Sequence, residues 1–317
     1  MTHPIESAAQ QFRGELFTYC YRMLGSPHDA EDAIQEVYLL AWRGYDDFEG
    51  RASLRTWLYR IATRVCLKAI DRRGRRALPS GLGGPGDPAE PVHPRLRELS
   101  WVEPAPDTAL DPAATVESRH ATRLAFIAAL QHLSGRQRAI LILRDVLMFP
   151  AAEVATLLAT TTTAVNSALQ RARTQLAALA PTGYDLSEPT DPRRREVLDR
   201  YAIAFENADI AELVRVLTED AVLEMPPVPT WFRGRDHVGE FLRSRLTTPG
   251  AVRLVPTAAN TQPAFGVYLH GHGGAHHPHA LQLLTLAEPG IARIDMFHDP
   301  ALFPLFDLPD LIQKAER

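Results

Sequence analysis

The sequence predicts a multidomain chain: two all-α domains, then a C-terminal α+β domain. Three observations carry that expectation. Apolar residues recur at helical spacing through 1–76 and again through 118–180. Between them, 77–117 carries eight prolines and four glycines and keeps no sustained period, which reads as an extended linker. A second break, "APTGYDLSEPTDP", precedes a last segment, 190–317, in which helical patterns give way to strand-like apolar runs.

The 317 residues suffice for two or three domains. No apolar run is long enough to span a bilayer, and the opening "MTHPIESAAQQFRG" has no apolar signal core. With only Cys20 and Cys66, both in helical apolar patterns, a disulfide framework is not expected and a cytoplasmic address is. The formal net charge of −4 hides a strong asymmetry. Residues 51–76 hold nine Lys/Arg against the single acid Asp71, and 118–180 hold seven Arg against Asp145 and Glu153. Residues 190–317 hold 13 basic and 17 acidic residues. Two basic segments and an acidic tail point to nucleic-acid contacts in the first two domains only.

In the first segment, "SPHDAEDAIQEVYLLAW" starts with Ser26 as N-cap, Pro27 at the first helical position and Asp29 three residues after the cap. Its apolar stripe is Ala30, Ala33, Ile34, Val37 and Leu40 or Ala41, which leaves Glu31, Asp32, Gln35 and Glu36 outward. A second helix, from about Leu54 to Arg72, turns Leu54, Trp57, Leu58, Ile61 and Val65 inward. Arg60, Arg64, Lys68 and Arg72 follow at steps of four and form a basic stripe.

In 118–180, "LSGRQRAILILRDVL" shows a capping box, Ser134 with Gln137. A short helix, about Ala151 to Leu158, is followed by "ATTT" and a helix from Thr162 to about Leu179. Two helices joined by a tight turn make a helix-turn-helix signature. Val154, Leu157 and Leu158 are expected to pack on Val165, Leu169, Ala172 and Leu176. Thr161 is the expected N-cap, and Thr162 and Thr163 fill the first turn, within reach of phosphates or base edges. Asn166, Ser167 and Gln170 share the opposite face with Thr163, while Arg171 and Arg173 are placed for phosphates. Ala159 holds the turn position that usually takes glycine, because φ > 0 is common there.

These residues carry a resemblance. "GSPHDAEDAIQEVYLLAW" resembles sigma region 2.2, "FEGRASLRTWLYRIATRVCLKAIDRRGRR" regions 2.3 and 2.4, and "LSGRQRAILILRD" with "FPAAEVATLLATTTTAVNSALQRAR" region 4. Together, residues 1–180 resemble an extracytoplasmic-function sigma factor of the sigma-70 superfamily, with no room for a region 3 domain. The resemblance implies two all-α sigma domains that bind core RNA polymerase, at its beta-prime clamp helices and beta flap, and promoter DNA. Asp29, Glu31, Asp32, Gln35 and Glu36 would meet the polymerase. Arg51, Arg55, Trp57, Tyr59, Arg60, Arg64, Lys68 and Arg72 would hold the opened minus-10 strand, with the loop 49–53 pocketing a flipped base. Thr161, Thr162, Thr163, Asn166, Ser167, Gln170, Arg171 and Arg173 would contact the minus-35 element. Arg64 stands where the "RIATN" form of such factors has Asn, which would trade base readout for phosphate affinity. The linker would thread the RNA exit channel, and its "SWVEPAPD" suggests the subgroup with a C-terminal extension.

The last segment supports that subgroup. Helices are expected from Asp191 and Pro192 (with Val197, Leu198, Tyr201 and Phe205), from about Ile210 to Leu217, and from Asp236 to Leu246. The runs "VRLVPTAA", "PAFGVYLHG" and "ALQLLTLAEPGIARIDMFHD" then predict a curved antiparallel sheet. "NTQPAFGVY" and "IARIDMFHDP" resemble the SnoaL-like polyketide-cyclase domain, an α+β cone; the "DGGGR" signature of one such subgroup is absent. Tyr201, Trp231, Asp295 and His298 are expected to line a pocket used for regulation, with a small ligand as an option and no catalytic residue or cofactor. The cluster "HGHGGAHHPH" reads as a solvated hairpin tip rather than a metal site. Two other readings stay open: a one-component regulator with a ligand-sensing domain, and a cyclase- or isomerase-like enzyme fused to a DNA-binding module.

Overall fold

The computed structural model describes residues 10–50, 52–96, 98–110, 119–179 and 192–313. Arg51, residues 111–118, Asp191 and the side chain of His272 therefore lie outside the described residues. The chain divides into two compact units, one from residues 1–77 and 100–180, the other from 78–99 and 181–317.

The first unit is all-α. Helix α1 (Arg13–Leu24) buries every residue from Leu16 to Leu24. A helix buried along its whole length shows only a weak one-faced period; the sequence puts Cys20 in a helical apolar pattern but sets no bounds for this helix. Helix α2 (Pro27–Gly44) is capped by Ser26, whose Oγ accepts from the Asp29 N–H at 3.2 Å. Its stripe is the expected one and ends on Ala41, which is buried, rather than Leu40, which is exposed. Helix α3 (Leu54–Arg73) is capped by Ser53 and buries Leu58, Tyr59, Ala62 and Cys66 against Tyr19, Cys20 and Met23 of α1. Both cysteines are buried free thiols.

Helices α4 (Leu124–Leu130) and α5 (Gly135–Leu141) follow, α5 opening on the reciprocal Ser134–Gln137 capping box. After a wider turn over Ile142–Val146 come α6 (Ala151–Leu157) and α7 (Thr162–Leu179). Within this unit the two helical groups pack on each other. Arg138 of α5 is buried and donates to the carbonyl of Met23 at the end of α1, to Gln131 Oε1 at 2.7 Å and to the Leu133 carbonyl at 3.2 Å. Desolvation lowers its pKa to about 10, so it stays charged at neutral pH, with both of its terminal NH2 groups donating to carbonyl oxygens.

The proline-rich stretch has little regular structure, as expected, but it is packed rather than loose. Ala77 donates to the Ser100 carbonyl (3.1 Å) and accepts from Val102 (3.0 Å), so the residues that flank 78–99 are joined. Trp101, Val102, Ala105 and Leu110 are buried in the first unit, where Glu103 receives Ser26 Oγ at 2.6 Å and pairs with Arg76 at 3.3 Å. Apolar residues between the prolines drive this packing; periodicity cannot report them because neither helix nor strand results.

The second unit is α+β. Helices α8 (Pro192–Glu206), α9 (Ile210–Val216) and α10 (Arg235–Arg245) accompany a six-stranded sheet. Its strands are β1 (Leu217–Met225), β2 (Val228–Arg233), β3 (Val252–Ala259), β4 (Gln262–His270), β5 (His276–Ala287) and β6 (Gly290–Phe297), in the order β2-β1-β6-β5-β4-β3. The sheet is mixed rather than wholly antiparallel, because β1 pairs with β6 in parallel. Strands β1 and β2 were not expected: β1 begins where α9 ends, with no turn residue between them. The core joins Tyr201 and Phe205 of α8, Phe241 of α10 and Leu223, Phe265 and Ile294 of the sheet.

Linker residues 83–96 lie along the edge strand β2. Gly86 N–H donates to the Trp231 carbonyl (2.7 Å), Trp231 Nε1 to the Gly83 carbonyl (2.9 Å), His93 N–H to Thr230 Oγ1 (2.9 Å) and Leu96 N–H to the Pro227 carbonyl (2.9 Å). A loop covering an otherwise unpaired edge satisfies backbone groups and blocks edge-to-edge association. Glycine fits closely at 86, where a Cβ would sit 2.9 Å from Thr230 Cγ2 and force that side chain to shift.

Candidate nucleic-acid faces and a C-terminal cavity

On α2, Asp32 and Gln35 are exposed, while Glu31 and Glu36 are half-buried and paired with Arg13 (2.6 Å) and Lys68 (3.4 Å). Asp29 does not share their face. It is buried, and Arg73 and Arg76 (2.6 Å) take both its carboxylate oxygens. A first-turn acid can serve the helix dipole and an internal ion pair as readily as a partner. The sequence reading missed what continues this surface: Leu39, Leu40 and Trp42 are exposed at 57%, 40% and 55%. Large apolar residues left outside near the end of a helix break its own stripe, and that is the signal that could have found them.

On α3, Arg60, Arg64, Lys68 and Arg72 are all exposed, as the four-residue spacing implied. Trp57 is half-buried with its ring centroid 4.9 Å from that of Phe48. Two expected contacts are instead structural. Tyr59 is fully buried beside Tyr19 and Phe149, with burial and the nearby Glu15 carboxylate pushing its pKa up. Arg55 pairs with Glu15 at 2.8 Å and stacks over Tyr59 and Phe149. Aromatic and cationic residues suit a single strand, but they suit a helix–helix seam equally well.

The helix-turn-helix has one clean division. Val165, Leu169 and Ala172 of α7 are buried, as are Val154 and Leu157 of α6. Thr161, Thr162, Thr163, Asn166, Ser167, Gln170 and Arg171 are all exposed. Thr161 caps α7, its Oγ1 accepting from the Ala164 N–H at 3.1 Å. Ala159 takes φ = +50°, so the turn keeps its left-handed geometry without glycine. Arg173 is exposed but holds Asp145 through two bonds, at 2.6 and 2.8 Å, which fixes α7 to the turn after α5.

The second unit contains a cavity of about 370 Å³, lined by Val92, Phe205, Met225, Phe241, Val267 and Met296 among other apolar residues, with Arg245, His279 and His298 as its polar lining. Of the four expected pocket residues only His298 is there. Tyr201 is buried in the core between Phe205 and Phe265, beside Gln282. Trp231 is engaged with the linker, as described above. Asp295 is buried and paired with Arg293 (2.9 Å), which also holds buried Glu224. Burial raises the Asp295 pKa to about 6, and Arg293 opposes the rise. The Asp and His of "IDMFHD" are three residues apart in a strand and its continuation, so alternation turns them to different surroundings.

His279 and His298 stack edge to face, centroids 4.9 Å apart. Desolvation, then Arg95, lowers the pKa of His279; desolvation, then His279 and Arg95, lowers that of His298 to about 4. The histidine cluster is thus only partly a solvated tip: His276 is buried with Nε2 3.1 Å from the Gly250 carbonyl, and His279 reaches the cavity. Among the described residues no three potential metal ligands come together. No helix among them is long and apolar enough to cross a membrane.

Comparison with known proteins follows the same divisions. Residues 8–76 match the family described as Sigma-70 region 2, residues 123–176 Sigma-70, region 4, and residues 198–294 the SnoaL-like domain. The chain is 48% identical over 308 residues to the ECF RNA polymerase sigma factor SigG of Mycobacterium tuberculosis, covering 95% of this chain and 83% of that protein. It is 30% identical over 243 residues to SigJ of the same species, covering 74% and 71%. The crystal structure of M. tuberculosis SigJ has the same fold, with a TM-score of 0.63, 23% identity and coverage of 96% of this chain and all of that one. The chain therefore belongs to the extracytoplasmic-function RNA polymerase sigma factors and carries a C-terminal SnoaL-like domain; it is a transcription initiation factor, not an enzyme.

Proposed function

We propose that the chain acts in the cytoplasm, where its first unit binds core RNA polymerase and promoter DNA and its second unit regulates that activity. The division of α7 into a buried face and a polar, uncharged-to-basic exposed face supports this reading most strongly. Asn166 and Gln170 carry the paired donor and acceptor that suit adenine in the major groove, and Arg171 sits beside them for phosphate. Arg60, Arg64, Lys68 and Arg72, with Trp57, serve the opened minus-10 strand. Glu31, Asp32, Gln35 and Glu36, extended by Leu39, Leu40 and Trp42, meet the beta-prime clamp helices, and the region 4 part meets the beta flap.

The test is co-purification with core polymerase and run-off transcription from a genomic fragment library. Binding with new start sites, lost on Asn166→Ala with Gln170→Ala, is expected; start sites unchanged by that double substitution would sink the minus-35 assignment. A chain ending at residue 191 tests the second unit: unchanged promoter output would count against a regulatory role.

A further inference from the structure

The cavity of the second unit is closed on one side by the linker. Val92 lines it and packs against the core, while the backbone of 86–96 hangs from β2 by the N–H groups of Gly86, His93 and Leu96. A volume of about 370 Å³ is in the range of small-molecule sites. Apart from three residues the lining is apolar, and those three, Arg245, His279 and His298, include no acid. Arg245 is exposed at the rim with its guanidinium 5.3 Å from the Phe241 ring centroid. His298 Nδ1 is buried without a hydrogen-bond partner among the described residues, an open position in a place where polar atoms are normally paired. From the linker, Arg95 adds a positive charge that both histidines sense.

We propose that this cavity binds a small apolar carboxylate, its hydrocarbon body among Phe205, Met225, Val267 and Met296 and its carboxylate at His298, between Arg245 and the linker's Arg95, so that binding clamps residues 83–96 onto β2. The inference rests on the regulatory reading of the second unit and names the ligand class and the moving part. An anion fits where two neutral imidazoles able to donate an N–H accompany the cationic Arg245 and the lining holds no acid, and a buried N–H to carboxylate bond is charge-assisted. Because the cavity exists with the linker in place, ligand and linker occupy different space. Arg95 then adds its positive charge to the site only when the linker is docked, and ligand and linker stabilise each other by linkage. The held segment is the one joining the two DNA-binding domains, whose ends meet at Ala77 and Ser100.

The experiment uses the full chain with decanoate as the probe and 1-decanol as its uncharged match. Calorimetric titration is expected to show saturable decanoate binding about tenfold or more tighter than decanol, with Arg245→Gln and Arg95→Gln each weakening decanoate several-fold and leaving decanol unchanged. Hydrogen exchange across 83–96 is expected to slow on adding decanoate, and Gly86→Val, which crowds Thr230, is expected to raise exchange there and weaken decanoate. Equal affinity for acid and alcohol would overturn the carboxylate assignment. Binding without slower exchange would overturn the clamp. Binding of neither probe would overturn the site, whereas a promoter output that still depends on residues 192–317 would leave the regulatory reading standing.

Discussion

Arg55 of α3 lays its guanidinium carbon 4.8 Å from the ring centroid of Phe149, just before α6, so the two helical parts of the first unit share a cation–π seam. Thr56 extends it with a hydrogen bond to Glu153, and Tyr59 meets Phe149 edge to face at 5.1 Å. Phe149 is 3% exposed, so Phe149→Ala removes both ring contacts and leaves a cavity. A loss of about 3 kcal/mol is expected, read as a lower urea midpoint for the first unit. An unchanged midpoint would mean that the seam adds nothing to stability.

Ala159 sits at φ = +50° in the turn between α6 and α7. A left-handed alanine costs about 1 kcal/mol, and glycine recovers most of this while losing some through its freer unfolded chain. Ala159→Gly is expected to stabilise the first unit by roughly 0.5 kcal/mol, measurable as a small rise in the urea midpoint, with promoter binding unaltered.

On α7 the contacts separate by salt dependence. Gln170→Ala is expected to cost about 1–3 kcal/mol on the preferred promoter, with little change in the slope of log K against log salt. Arg171→Ala is expected to weaken all sequences alike and to reduce that slope by about one. Arg173, already held by Asp145, is expected to contribute less to the slope than Arg171. The reverse order in a binding titration would place the phosphate contact on Arg173.

In the second unit Asp295 and His298 titrate with opposite sign, and His279 is shifted in the same direction as His298. The Asp295 pKa is raised to about 6, so its ionisation costs stability, which falls as pH rises from the ordinary carboxylate range to 6. The His298 pKa is lowered to about 4, so stability falls as pH drops from the ordinary histidine range to 4. Between pH 4 and 6 the two oppose each other. Asp295→Asn is expected to leave a domain that weakens toward pH 4, and His298→Gln one that strengthens toward pH 4. Thermal unfolding of each variant against the parent across that window checks both signs.

What the sequence determined by itself was local. Caps such as Ser26, Thr161 and the Ser134–Gln137 box act within one turn, and the one-sided stripes of α2 and α7 recur every three to four residues, so both can be read along the chain. The exposure of Arg60, Arg64, Lys68 and Arg72 followed from the same spacing. Tertiary structure alone decided where shared chemistry was spent. Asp29, Tyr59, Arg55 and Asp295 are the right residue types for contact or catalysis, but each is claimed by a partner 40 or more positions away or by burial. It also decided the bounds and the all-round burial of α1, and the pairing of β1 beside β6. Most of all it decided the linker, whose Gly86 and Val92 gain their role only from a strand and a cavity more than a hundred residues further along the chain. Local rules report the conformations that a segment favours; the partner that takes up its remaining surface is set by long-range packing, which no short window contains.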